Sequence, residues 1–259
     1  LLAVSDLGDT QLIGCLNDGN VLAWYGKAIG LLPRLGAVAL ALEPFDEAFM
    51  ARENAIFPEW LLGHHLNLSL DETEQQLLDE MFACLTENNL AQPQGVMHRD
   101  FHSRNLMVCG GDTPDDSRLA VIDFQDMVMG PLSYDLVSLL KDCYVRWPDE
   151  VIEQGMGHGF DILNRAGLLG GLDYASFRRH ADLTGMQRHL KAAGLFTRLY
   201  HRDGKSGYLK DIPRTLGYVV DVCHTHGAEH PVLARFGLWL EQVVLPGLDR
   251  VAQASGEQP

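Results

Sequence analysis

Residues 98 to 105 read His-Arg-Asp-Phe-His-Ser-Arg-Asn, and Asp123 opens an Asp-Phe-Gln-Asp stretch eighteen residues after Asn105. An aspartate, an asparagine five residues on and a second aspartate beyond it are the groups that phosphoryl transfer asks of a protein. One carboxylate orients the attacking hydroxyl and takes its proton. A separate carboxylate and an amide oxygen hold magnesium, which prefers oxygen donors and keeps several waters, against the nucleotide phosphates. Asp100 is read as the first of these, and Asn105 and Asp123 as the metal ligands. Each residue alone has a blander reading as a turn cap or Asx-turn; the matched spacing favours the chemical one.

Such groups need elements that hold them still. Val96-Met97, Leu106 to Cys109 and Leu119 to Ile122 are short apolar runs that read as strands flanking the polar segment. Gly110 to Ser117 reads as the hairpin loop between the last two. His98 closes a buried strand, so it and Arg99 are expected to buttress the loop rather than react. His102 either lines an acceptor pocket or packs beneath the loop, and Arg104 either touches phosphate or sits exposed. Asp126 stands either beside the metal or in a solvated turn. Asp135 follows Gly130-Pro131 at a helix start and is read as a brace for the catalytic loop rather than as an early-turn acid.

Residues 10 to 62 are mostly helical in pattern, with Pro33, Pro44 and Pro58 each expected to end or kink a helix. Ser69 to Glu72 has capping-box form ahead of a helix whose Leu77, Leu78, Met81, Phe82 and Leu85 face the core. Beyond Pro131 the spacing predicts helices at 133–146, 149–166, 173–193, 212–225 and 231–243, with Asp203 to Gly207 as a loop tip. The fold class is α+β: mostly helical, with a small sheet carrying the catalytic loop.

At 259 residues the chain can build one large domain or two modest ones. The net charge of −15 disfavours nucleic acid and anionic membranes as partners but does not forbid a nucleotide carried with magnesium. Five scattered cysteines, Cys15, Cys84, Cys109, Cys143 and Cys223, make no C-x-x-C pair, which argues against a disulfide framework or zinc site. With no apolar run near 20 residues and no secretory pattern, a cytoplasmic location is expected. Leu1-Leu2-Ala3-Val4 is a bare strand-like run, so the chain is expected to be a fragment or trimmed form of something longer. No Walker-type glycine loop, nucleophile–histidine dyad or basic stripe is present.

Together these residues resemble the aminoglycoside phosphotransferase and choline kinase superfamily, whose fold is protein-kinase-like. The resemblance is closer to the bacterial N-acetylmuramate/N-acetylglucosamine anomeric kinases of peptidoglycan recycling. It is carried by His98 to Met107, Val121 to Asp126, Tyr134 to Leu136, Asp142-Cys143-Tyr144, Trp147-Pro148, Met186 to Lys191, Arg202 to Lys205 and Tyr208 to Arg214. It implies that Asp100 is the catalytic base, that Asn105 and Asp123 bind Mg2+, and that ATP is the phosphate donor. It also implies that residues 1–8, with Val4 and Asp6, are the end of an otherwise missing N-terminal lobe and its nucleotide hinge. Residues 9–259 are then the C-terminal catalytic and substrate-binding lobe. Glu53, Trp60, Gln187, Arg188 and Arg202, with His102, are the candidates for sugar contact. A kinase of another small hydroxyl compound, such as an aminoglycoside or a choline-like acceptor, and a non-catalytic fragment are the alternatives. Oligomeric state is left open.

Overall fold

The polar segment is framed by four short strands. In a computed structural model, which describes residues 6–36, 38 and 40–255, these are β1 (Gln94–Met97), β2 (Leu106–Gly110), β3 (Ser117–Val121) and β4 (Val128–Pro131). They form two antiparallel two-stranded sheets, β1 with β4 and β2 with β3, rather than the single sheet expected. The sequence reading lacks β4 because its Gly130-Pro131 pair looks like a turn. Pro131 is tolerated because it closes the strand, opposite Gln94.

The helices are α1 (Val21–Ile29), α2 (Leu32–Gly36), α3 (Glu47–Asn54), α4 (Glu72–Leu90), α5 (Ser133–Leu140), α6 (Asp149–Arg165), α7 (Tyr174–Asp203), α8 (Ile212–His226), α9 (Pro231–Trp239) and α10 (Leu245–Ser255). Short 3-10 turns occupy Leu12–Cys15 and Ser206–Asp211, and π-helical stretches occupy Phe57–His65 and Leu240–Val244. The chain divides into two compact units. Unit one comprises Leu1–Pro44 and Gln92–Ala181; unit two comprises Phe45–Ala91 and Asp182–Pro259. No helix among the described residues is long and apolar enough to cross a membrane.

Several boundaries differ from the sequence pattern for identifiable reasons. Pro33 and Pro58 are the second residues of α2 and of the first π-helical stretch, where a missing N–H costs no bond, so they begin elements instead of ending them. Pro44 instead pairs with Met129 in an isolated parallel bridge. The capping box of α4 sits two residues later than read: Asp71 accepts the N–H of Glu74, and the Glu74 carboxylate accepts the N–H of Asp71. Within α4, Leu77, Leu78, Met81 and Leu85 are buried and Phe82 is half-buried. Helix α5 stops at Leu140, six residues short of the pattern, because the Asp142 side chain takes the N–H of Tyr144 at 2.9 Å and turns the chain. Helix α7 runs ten residues past the expected end, to Asp203. Gly204 then ends it in the left-handed region at φ 69, its N–H reaching the Tyr200 carbonyl.

The core of unit one forms where α1, α5 and α6 pack, with Trp24, Leu136, Leu140 and Met156 fully buried. Phe101, from the middle of the polar segment, is buried in the same core and anchors that loop. In unit two, α4 and α9 are tied by the indole of Trp239 donating to Glu74 at 2.9 Å. Gly194 on α7 lets the backbone of Ile56 approach so closely that an added Cβ would lie 2.5 Å from its carbonyl oxygen.

Candidate active site

Hairpin register explains how residues eighteen apart come together. Leu106 pairs with Val121, and the ladder continues one rung further, the N–H of Ile122 donating to the Asn105 carbonyl at 3.0 Å. Asn105 and Asp123 therefore leave the same end of the β2–β3 hairpin. Asn105 Nδ2 lies 3.4 Å from Asp123 Oδ2 and donates to the Asp100 carbonyl at 3.0 Å. That second bond orients the amide, whose Oδ1 is the atom able to meet a hard cation. Gln125 donates to the other Asp123 oxygen at 2.7 Å.

Backbone strain is concentrated here. Arg99 and Asp123 hold φ of 74 and 67, a region non-glycine residues seldom occupy and which is enriched at functional sites. Asp135 on α5 holds one of the two strained turns, accepting the N–H of His98 at 2.7 Å and that of Arg99 at 3.0 Å. Arg99 also donates to the Asp126 carbonyl at 3.2 Å, so Asp126 meets the loop through its backbone while its side chain is exposed.

His98 is buried and its Nε2 meets the Ile122 carbonyl at 3.0 Å, a geometry that puts the ring proton on Nε2. Burial lowers its pKa and outweighs Asp100, the Ile122 carbonyl and Asp123, which pull it upward. It is therefore neutral at pH 7 and serves as a strut between β1 and the residue before Asp123. His102 is buried and packs edge-on against Tyr144 at 5.4 Å. Arg104 lies over the same ring, 3.6 Å from its centroid. Asp142, which the sequence marked only as part of a family-like stretch, bonds Ser103. No signal in the sequence could have paired those two, 39 residues apart.

Unit one thus brings Asp100, Asn105 and Asp123 together. Asp6 is exposed and accepts the N–H of Gly8 at 2.9 Å; Val4 lies outside the described residues. The remaining sugar-contact candidates lie in unit two. Glu53 and Gln187 meet there at 3.3 Å, with Asn54 at 3.2 Å from Gln187 and Lys191 paired to Glu53 at 3.4 Å. Gln187 Oε1 is buried without a hydrogen-bond partner. Arg188 is buried beside Gln187 on α7, and the Trp60 ring lies tilted against His64 at 4.7 Å. Arg202 is exposed and forked onto Asp203 at 2.8 and 2.9 Å. Fifteen residues of helix separate it from Gln187, about 22 Å along the axis.

The donor set fits magnesium: one carboxylate and one amide oxygen, both hard, with Asp123 exposed and Asn105 half-buried. Among the described residues no group of three His, Cys, Asp or Glu side chains could hold a metal ion by itself, and none of the five cysteines is in a disulfide.

The profile of the Phosphotransferase enzyme family matches residues 1–170. The chain belongs to that family. It is 35% identical over 238 residues to the N-acetylmuramate/N-acetylglucosamine kinase of Pseudomonas putida, covering 91% of this chain and 67% of that one. It is 36% identical over 239 residues to the enzyme of the same name from Neisseria meningitidis, covering 90% and 70%. Among solved structures, Plasmodium vivax ethanolamine kinase superposes with a TM-score of 0.56 at 12% identity over 78% of this chain and 59% of that one. The last likeness concerns the fold alone. As a member of the phosphotransferase enzyme family with kinase relatives, the chain is an ATP-dependent small-molecule kinase.

Proposed function

We propose that this kinase phosphorylates the anomeric hydroxyl of N-acetylmuramate and N-acetylglucosamine, and so serves peptidoglycan recycling. The observation that carries the acceptor is the identity of about a third, over nine-tenths of the chain, to relatives bearing that name. The hairpin register that sets Asn105 against Asp123, with the Asp100 backbone carbonyl accepting from the same asparagine, supports the chemistry.

Asp100 accepts the proton of the sugar hydroxyl and keeps its oxygen in line with the terminal phosphorus. As the new P–O bond forms, the bond to the ADP oxygen breaks. Asn105 Oδ1 and the Asp123 carboxylate would hold the magnesium, which draws the phosphate charge when bound. Asp135 keeps the strained turn before Asp100 closed. Val4 and Asp6 are assigned to the adenine hinge, residues 1–8 to the end of the nucleotide lobe and residues 9–259 to the catalytic lobe. Gln187 is assigned to acceptor recognition, with its orphaned Oε1 ready for a hydroxyl or amide N–H. Glu53, Arg188, His102, Trp60 and Arg202 are assigned supporting contacts. No nucleic-acid or membrane partner is expected, and a cytoplasmic location accords with the ATP requirement.

Incubating the full-length protein with MgATP and each amino sugar should yield a sugar 1-phosphate, read by phosphorus NMR. Turnover confined to aminoglycosides or choline would refute the acceptor and leave the family chemistry standing.

A further inference from the structure

Asp142 lies two residues past the end of α5 and is fully buried. A carboxylate in such a place is tolerated only when its oxygens are well supplied with donors. Here Oδ2 accepts the N–H of Ser103 at 3.1 Å and the Ser103 hydroxyl at 2.5 Å, while Oδ1 accepts the N–H of Tyr144 at 2.9 Å. Tyr144 in turn carries the guanidinium of Arg104 on its face and packs in a T-shape with the ring of His102. One carboxylate therefore governs three consecutive loop residues, 102 to 104, lying between Asp100 and Asn105. The other half of the loop, His98 and Arg99, belongs to Asp135.

We propose that Asp142 is a positioning residue for the metal-binding half of the catalytic loop, holding Ser103 so that Asn105 meets Asp123. The link runs through the backbone. The N–H of Asn105 donates to the His102 carbonyl at 2.9 Å, and its side chain donates to the Asp100 carbonyl. A segment 102–104 released from Asp142 would move the His102 carbonyl, the backbone anchor of that asparagine. The inference rests on the reading of Asn105 and Asp123 as metal ligands. It divides labour between two buried carboxylates: Asp135 sets the turn before the base, Asp142 the turn before the metal ligand.

Peptide-resolved amide hydrogen exchange on the metal-free full-length protein reads this directly. Asp142→Asn should exchange residues 102–105 on the order of ten-fold faster and leave 98–99 unchanged. The same variant should bind Mn2+, titrated by electron paramagnetic resonance, about 10-fold more weakly. Wild-type exchange at 102–105, or acceleration shared equally with 98–99, would overturn the proposal. Ser103→Ala removes one bond and leaves the Asp142–Tyr144 bond, so it should show the same pattern more weakly. It carries the test should Asp142→Asn fail to fold, and wild-type exchange in it would then be decisive against the idea. Asp123→Ala separates the two readings. Undiminished Mn2+ affinity there refutes the metal site itself; loss there with full affinity in Asp142→Asn refutes only the positioning role.

Discussion

In the proposed mechanism Asp100 accepts a proton and holds a hydroxyl in line, two duties that an amide of the same shape performs badly. Asp100→Asn should lower kcat by about 10²- to 10⁴-fold with little change in thermal stability. The check is steady-state kinetics beside a melting curve; a loss of activity matched by a loss of folded protein would refute a chemical role. His98 offers a contrast, because burial keeps its imidazole neutral and its Nε2 is engaged by a carbonyl. At the other extreme Cys223 is buried near Glu241, and burial first, then that charge, pushes its thiol up to about 12. Native protein at pH 8 should leave Cys223 unlabelled by iodoacetamide, as mass spectrometry can show; modification there would contradict the packing around α8.

Elements carry these residues through close contacts that propensity does not reveal. Gly194 is the sharpest case, since its missing side chain is what lets α7 rest on the backbone of Ile56. Gly194→Ala should cost about 1–3 kcal/mol in urea unfolding, and an unchanged midpoint would mean the two segments can separate freely. The α4 cap is a gentler device, and Asp71→Ala should cost about 1 kcal/mol by the same measurement. Helix α4, with its capping box and its buried stripe, was legible in the sequence because both signals lie within a few residues. Strand β4 was not, because its partner β1 is more than thirty residues away and its own Gly-Pro pair points to a turn. The early end of α5 was hidden for a similar reason: the local pattern continues, but Asp142 is claimed by a distant loop and a nearby amide.

At the scale of the molecule, both units contain imidazoles whose pKa is lowered. His98 and His180 in unit one and His65 and His201 in unit two all have lowered pKa, with burial the first cause in each. In the unfolded chain these groups take up protons near 6.5, while in the fold they stay neutral to lower pH. Stability present above about 6.5 is therefore lost as pH falls toward the lowered folded values. His65 and His201 meet at 3.2 Å between ring nitrogens, and protonating both would set like charges together. Replacing both by Gln should shallow the fall in Tm between pH 7 and pH 5, measured by calorimetry; an unaltered slope would place the acid sensitivity elsewhere. The net charge of −15 works in the opposite direction, since acid relieves its repulsion, and the comparison with the double variant cancels it.

The sequence by itself determined the family and marked the proposed reacting groups in their order, because Asp100, Asn105 and Asp123 are joined by one loop and one hairpin whose spacing is written along the chain. Tertiary structure alone decided what holds them. Asp135 and Asp142 reach back 37 and 39 residues to the loop, and Glu53 finds Gln187 across 134 residues. Hydrophobic period reports which face of an element is buried but not which remote donor a buried carboxylate will meet. That choice is settled when the chain packs, by the cost of leaving any such group without its hydrogen bonds.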